Sequence, residues 1–268
     1  MFDYGAEWAK GRGLEEMIGP KGFTVFDGLG LLVEGFDFRP AFGQPYHMPY
    51  YWRLVEESGF HSTGELITGT MDENTEFPEK INQIAELLKK RRGLSIAHCE
   101  SRAELRKVML QMKDLYNASL GDTRDNVPVT DEEVQALSRQ LLWFADPKLI
   151  KIVMKGESPV GFLLAYPDVS AALQKTKGRL FPLGWLVLLR ELRRTKWINI
   201  NGAGIIEQYR GLGGTALLFS EMYKSVAESR FRQADIVQIG SDNENMQREI
   251  RNFGIKINKF HRVYSRAL

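Results

Sequence analysis

Between residues 197 and 230 the chain gathers the residue types best suited to holding a phosphate: WININGAGIIEQYRGLGGTALLFSEMYKSVAESR. A short apolar strand runs into a turn containing Gly211, Gly213 and Gly214, then into a helix whose apolar positions are Leu217, Leu218, Met222 and Val226. Residues without a Cβ let backbone N–H groups approach an anion, and the positive end of the helix macrodipole adds attraction. Arg210 brings a guanidinium suited to bidentate contact with phosphate oxygens. Glycine turns before helices are common as plain structure, at about even odds with an anion site, so this stretch alone leaves both readings open. Other nucleotide motifs do not fit. The chain has no GxxxxGKS or GxxxxGKT, Lys224 lies too deep in the helix to act as a P-loop lysine, and the glycines lack GxGxxG spacing.

The same stretch resembles the acyl-CoA loop of the Gcn5-related N-acetyltransferases, the GNAT superfamily, whose signature is Q/R-x-x-G-x-G/A between the fourth strand and the next helix. Gln208-Tyr209-Arg210-Gly211-Leu212-Gly213 matches it literally. The commoner wording, a Tyr-Arg-Gly run, instead starts at Arg210, puts Gly213 fourth and leaves Thr215 where Gly or Ala is expected. Both registers stay open. The resemblance implies acetyl-CoA or another acyl-CoA as donor, held by Gly204, Ile205, Ile206, Gln208, Tyr209, Arg210, Gly211, Leu212, Gly213, Gly214 and Thr215, with Asn243 beyond. It implies direct transfer to an amine on a small molecule or peptide, and no metal.

In such a reaction the amine nitrogen attacks the thioester carbonyl, an oxyanion develops and CoA thiolate departs. The superfamily supplies the oxyanion donor from a backbone N–H at the splayed end of the cofactor strand, near Ile205. The amine must lose a proton to a base, and Glu207 beside the loop is a candidate, with a solvated turn residue as the commoner role for it. Further on, the family pattern of asparagine, apolar residue, aromatic and glycine falls on Asn243, Met246, Ile250 and Gly254. The aromatic is often the tyrosine proposed as general acid, so Ile250 departs from the pattern. Tyr264 is the remaining candidate, although a tyrosine there is more often a packing residue. A second class of function fits the departures: a noncatalytic acyl-CoA binder or interaction protein on a degenerate GNAT scaffold. If the loop binds CoA, Gly213→Val should raise the dissociation constant at least tenfold, about 1.4 kcal/mol.

The elements that must position this loop read as an α/β (α+β) fold, a mixed, mostly antiparallel GNAT-type sheet flanked by helices. From residue 94 the order is complete. Residues 94–99 read as a strand, 102–119 as an amphipathic helix, 122–129 as a loop, and Thr130 caps a helix through 143 with Glu133 completing a capping box. Residues 150–155 and 160–166 form a hairpin around 156–159, and after the cofactor loop come a strand at 234–240, a helix at 243–252 and a last strand in FHRVYSRAL. Residues 167–194 are longer than the usual connection, an insertion expected near the acceptor side.

Before residue 94 the pattern changes. A helix at 2–12 and a short strand at 14–18 precede a stretch at 19–49 dense in glycine, proline and aromatics. A helix follows at 49–58, stopped by Gly59. GPKGF, LLVEGFD, MPYY and EESGF resemble the C-terminal half of a GNAT domain from two-domain bacterial members, which implies a partial unit at 1–73 that lacks CoA binding of its own and acts as a cap. A linker helix spans 74–93, with residues 78–92 helical, a basic run at 89–92 read as a solvated terminus, and Gly93 as its stop. The GNAT domain then runs over 94–268.

Composition narrows the class. With 268 residues, 43% hydrophobic, the chain buries one large core or two modest ones. A net charge of +2 gives no polyelectrolyte character, so no nucleic-acid partner is expected. Cys99 is the single cysteine, which excludes an intramolecular disulfide and a cysteine-rich zinc site. His98-Cys99-Glu100 reads as ordinary strand sequence. The N-terminus lacks the marks of a signal peptide, so the cytoplasm is expected, with a homodimer compatible. The longest apolar run, 181–189, is too short to span a bilayer and is followed by Arg190, Arg193, Arg194 and Lys196. A core-facing element with a solvated basic end is the favoured reading, and an interfacial amphipathic helix the other.

Overall fold

The computed structural model describes residues 1–22, 28–97, 101, 103–106, 112–120, 129–144, 146–210 and 213–268. The chain divides into two compact units, Met1–Thr70 with Ile236–Leu268, and Met71–Asp235.

The first unit is built on a long C-terminal strand, β9 (Lys256–Ala267). Helix α1 (Phe2–Lys10) leads to β1 (Glu16–Gly19), which pairs antiparallel with β9 in the register Glu16↔Ala267 to Gly19↔Tyr264. Strand β2 (Leu31–Glu34) also pairs with β9, and β3 (His61–Asp72) runs antiparallel along it from His61↔Ser265 to Thr70↔Lys256. The glycines around β2 are demanded by this closeness: Gly30 has φ 78°, and a Cβ on Gly35 would lie 2.1 Å from the Asn258 carbonyl oxygen. Helix α2 (Tyr51–Glu57) lays Trp52 and Val55 against a core of Leu31, Phe60 and Tyr264. The expected helices at 2–12 and 49–58 are present with slightly shorter ends. Strands β2 and β3 were not expected from the sequence.

The second unit holds the phosphate-suited stretch. Helix α3 (Glu79–Arg92) ends at Gly93, whose φ of 61° stops it. Strands β4 (Leu94–Ile96), β5 (Ile150–Lys155), β6 (Ser158–Pro167) and β7 (Trp197–Ile205) form an antiparallel sheet in chain order, with β5 and β6 joined by a tight turn at Gly156. Helices α4 (Met112–Leu120) and α5 (Asp131–Phe144) lie between β4 and β5 in sequence. The capping box is formed: the Glu133 N–H donates to Thr130 Oγ1 at 3.3 Å, and the Thr130 N–H to Glu133 Oε2 at 2.8 Å. The readings at 98–100, and those parts of 102–119 and 122–129 not named above, fall outside the described residues. Between β6 and β7 come α6 (Ser170–Thr176) and α7 (Gly184–Arg194), and after β7 comes α8 (Gly214–Ala227).

Helix α8 brings Leu217, Leu218, Phe219 and Met222 into the core with Ile152, Phe162, Leu163 and Ile198 of the sheet. Helix α3 packs along α8, so the linker helix is part of this unit. Ser220 Oγ donates to Asn82 Oδ1 at 2.7 Å, Lys89 and Glu221 pair at 2.8 Å, Lys224 and Glu86 at 3.0 Å, and the Phe77 and Tyr223 rings stack at 4.4 Å. Part of the basic run at 89–92 therefore clamps two helices. The grouping also differs from the sequence division at its end. Strand β8 (Gln233–Gly240) crosses the boundary, and α9 (Glu244–Asn252) and β9 go with the N-terminal segment because β1, β2 and β3 are the partners of β9.

Candidate functional site

The site begins with an irregularity in β7. Leu163 faces Ala203 but Ala165 faces Ile200, so one residue of β6, Leu164, opposes two of β7. The extra residue is accommodated at Asn201 and Gly202, where Gly202 takes φ 100°, a conformation open to glycine. Asn201 is buried and its Nδ2 donates to the Tyr166 hydroxyl at 3.3 Å. Burial raises the Tyr166 pKa above its ordinary value and the charge of Asp168 adds to this, while the Asn201 contact opposes it, so the group stays a neutral phenol at neutral pH.

Past the bulge, β7 is held tightly. A Cβ on Gly204 would come within 2.7 Å of Ser119 Oγ and 2.8 Å of Phe162 Cε1, so only glycine fits there. The Ile206 N–H donates to the Val160 carbonyl at 3.1 Å, and a short 3-10 turn follows at Glu207–Tyr209. Glu207, Gln208 and Arg210 are exposed, while Ile205, Ile206 and Tyr209 are half-buried. The Arg210 side chain differs from expectation. Its Nε donates to the Ile205 carbonyl at 3.1 Å and its Nη2 to the Ser119 carbonyl at 2.7 Å. The guanidinium is a brace between the strand exit and α4, and these two donors are not free for a bidentate phosphate contact.

Gly211 and Leu212 lie outside the described residues. Gly213 caps α8 with φ 87° and ψ 8°, and no side chain caps the helix. The first N–H groups of such a helix have no partner within it, which leaves backbone donors and the positive dipole end for an anion. Thr215 is half-buried, Gly214 is buried, and a Cβ on Gly214 would meet Ile205 Cδ1 at 2.9 Å. A Cβ on Gly213 would lie 2.6 Å from Leu88 Cδ1. Gly213→Val therefore strains the fold at both φ and Leu88, and its effect on CoA affinity would not isolate the loop's role.

Beside the turn is a cleft of about 440 Å³ lined by Arg91, Arg92, Gly93, Leu94, Lys155 and Tyr209. Lys155 Nζ donates to the Arg92 carbonyl, tying the β5–β6 turn to the end of α3. Three cationic side chains around one residue of the signature loop make a setting for a polyanion. Of the group assembled here, the sequence pointed to the loop and not to Leu88, Ser119, Asn201, Gly202 or Lys155. Arg91 and Arg92 belonged to a run read as solvated.

The other candidates sit in the first unit. Asn243 is the N-cap of α9, its Oδ1 accepting from the Met246 N–H at 3.0 Å, which gives this asparagine a structural task. Ile250, where the family pattern has an aromatic, is buried at 1% exposure. Tyr264 is fully buried beside Leu31 and Phe60, and burial chiefly raises its pKa. That packing makes Tyr264 a core residue. Glu207 is the one of the two acid–base candidates that faces solvent.

A mixed α/β chain whose glycine-bearing strand exit feeds an uncapped helix start has the fold of the GNAT acetyltransferases. A crystal structure of a GCN5-related N-acetyltransferase from Sphaerobacter thermophilus superposes with a TM-score of 0.54 at 13% identity, covering 99% of this chain and 66% of that one. Two curated proteins are similar over the whole chain. Protein YghO of Escherichia coli strain K12 is 24% identical over 275 residues, 70% of its length, and the bacterial ceramide synthase of Caulobacter vibrioides is 25% identical over 277 residues, 71% of its length. No family model matches the chain.

Proposed function

We propose that this protein is an acyl-CoA-dependent N-acyltransferase that moves an acyl group directly from the thioester to an amine. The observation that carries the reading is the start of α8 at Gly213: a helix N-terminus without a side-chain cap, following β7 and the Glu207–Tyr209 turn in the chain, with a cleft lined by Arg91, Arg92, Lys155 and Tyr209 of that turn. In this reading the backbone amides from Gly213 to Thr215 take the pyrophosphate, and the thioester lies along β7. A backbone N–H near Ile205 would steady the oxyanion as the nitrogen–carbon bond forms and the carbon–sulfur bond breaks. Glu207 is the base candidate, acting through water on the ammonium proton, and the leaving thiolate takes a proton from solvent.

The name of the Caulobacter relative favours a long-chain amino alcohol as acceptor. We place the acceptor near the 167–194 insertion, and the reaction in the cytoplasm with its CoA pool. Residues 1–73 are proposed as a half-domain that pairs with β9, the linker helix as a connector packed on α8, and the rest of Met71–Asp235 as the part that holds acyl-CoA.

A free-thiol release assay over a panel of amines tests the proposal, and the long-chain amino alcohol should be consumed with stoichiometric CoA release. Acyl-CoA binding without thiol release on any amine would favour the noncatalytic reading. The buried Ile250 and the packed Tyr264 are the observations on that reading's side.

A further inference from the structure

The start of the apolar run at 181–189 does not face the core, while Val187, Leu188 and Leu189 are half-buried. Leu180, Phe181, Leu183, Trp185 and Leu186 are exposed at 41, 85, 64, 43 and 46%, and the sole buried residue of α7 is Gly184. Five large apolar side chains within seven positions thus project from one turn and the first residues of a helix. That exceeds the scattered exposure ordinary for a soluble surface.

The protrusion is also built to leave water. Trp185 Nε1 donates to the Pro182 carbonyl at 2.9 Å, so the indole carries no unsatisfied donor into an apolar medium. The Trp185 N–H bonds the Leu180 carbonyl at 2.9 Å and the Leu186 N–H the Leu183 carbonyl at 3.1 Å. A Cβ on Gly184 would lie 1.9 Å from the Arg179 carbonyl oxygen, so the turn is closed on itself. Two of its backbone donors and the indole N–H are bonded before any partner arrives, which lowers the entropy lost on docking.

Charge identifies the partner. Exposed Arg179, Arg190, Arg193 and Arg194 flank the apolar tip, and among the described residues none of them has a carboxylate within 4.0 Å. Among the described residues no helix is long and apolar enough to cross a membrane. An apolar tip bracketed in sequence by exposed, unpaired arginines matches the boundary between acyl chains and anionic headgroups, where side chains of the first kind enter and those of the second stay at the surface. We propose that the 179–194 segment docks the protein peripherally on anionic lipid bilayers, the Phe181–Leu186 tip inserting and the arginines contacting headgroup phosphates. This surface belongs to the second unit and lies within the 167–194 insertion where the acceptor is proposed, but vesicle binding is read without any acyl transfer.

Co-sedimentation of the full chain with phosphatidylcholine vesicles, with and without phosphatidylglycerol, tests it. The wild type should partition onto the anionic vesicles, and less so as salt is raised. Phe181→Ser combined with Leu183→Ser, both at exposed positions, should lower the partition coefficient by about tenfold or more. The Arg190→Gln, Arg193→Gln, Arg194→Gln variant should lose the preference for anionic over neutral vesicles. Equal partition of the wild type and the Phe181/Leu183 variant, with unchanged thermal midpoints, would overturn the proposal. So would wild-type self-association without vesicles that Phe181→Ser abolishes, which would assign the tip to a second copy of the chain.

Discussion

At Gly213 a single residue does two things at once. It adopts the left-handed conformation that starts α8, and it leaves room for Leu88 from α3. Gly213→Ala should therefore lower stability by about 1–2 kcal/mol in a urea melt. Adding Leu88→Ala removes the clash but leaves the unfavourable φ, so the Gly213→Ala penalty should shrink without vanishing in that background. An unchanged penalty would mean that Leu88 is not the obstacle. Arg210 illustrates the same limit on reading chemistry from residue type. A guanidinium beside a glycine loop suggests phosphate, yet its two bonds go to carbonyls of Ile205 and Ser119, the latter 91 residues distant. Asn243 likewise fits a family pattern and caps a helix, and Asn243→Ala should cost about 1 kcal/mol of stability.

At the scale of elements, local signals were readable where one residue type enforces one geometry. The Thr130 and Glu133 capping box, the Gly93 stop and the Gly156 turn are of this kind. Strand β3 was not readable. HSTGELITGTMD mixes glycine and threonine with few apolar residues, and its first four positions are exposed, so no period-two alternation appears. Strand β2 is only four residues, LLVE, set between Gly30 and Gly35, and is too short to show a period. The sheet bulge at Asn201 and Gly202 depends on the register against β6, which spacing in one strand does not reveal. The insertion of α6 and α7 is rooted by Asp168, which is fully buried and accepts from the Ser170 N–H at 2.8 Å and from Asn199 Nδ2 at 3.0 Å. Asp168→Ala strands those donors and should destabilise the protein by about 2–4 kcal/mol. A melt within experimental error of the wild type would mean the insertion is held otherwise.

For the whole molecule, acid should act first through the first unit. Burial lowers the His47 pKa, and it is the main cause of the lowered His261 pKa, opposed by the hydrogen bond of the latter to the Pro45 carbonyl. The folded protein then keeps both rings neutral while the unfolded chain takes protons near the ordinary value of 6.5. The unfolded state binds more protons between the two values, so this contribution is complete above about pH 6.5 and lost as pH falls toward the folded values. The thermal midpoint should drop between about pH 7.5 and pH 5.5, and drop less in His261→Gln. Glu86 and Glu221 act in a separate window. The pKa of Glu86 is lowered by its hydrogen bonds to Lys224 and Lys89, and that of Glu221 by the same lysines against the opposing effect of burial. Their contribution is present above the ordinary glutamate value and fades below it.

The fold class was legible because the strand–glycine–helix stretch and the order of elements after residue 94 agree. The grouping of β9 with β1, β2 and β3 was not, because it depends on pairings between the two ends of the chain. Calorimetric titration of the full chain with acetyl-CoA, a longer acyl-CoA and dephospho-CoA measures the central claim. Saturable binding of at least one acyl-CoA is predicted, weakened about tenfold or more by the Arg91→Ala, Arg92→Ala, Lys155→Ala variant. A folded wild-type protein that binds none of them would contradict it.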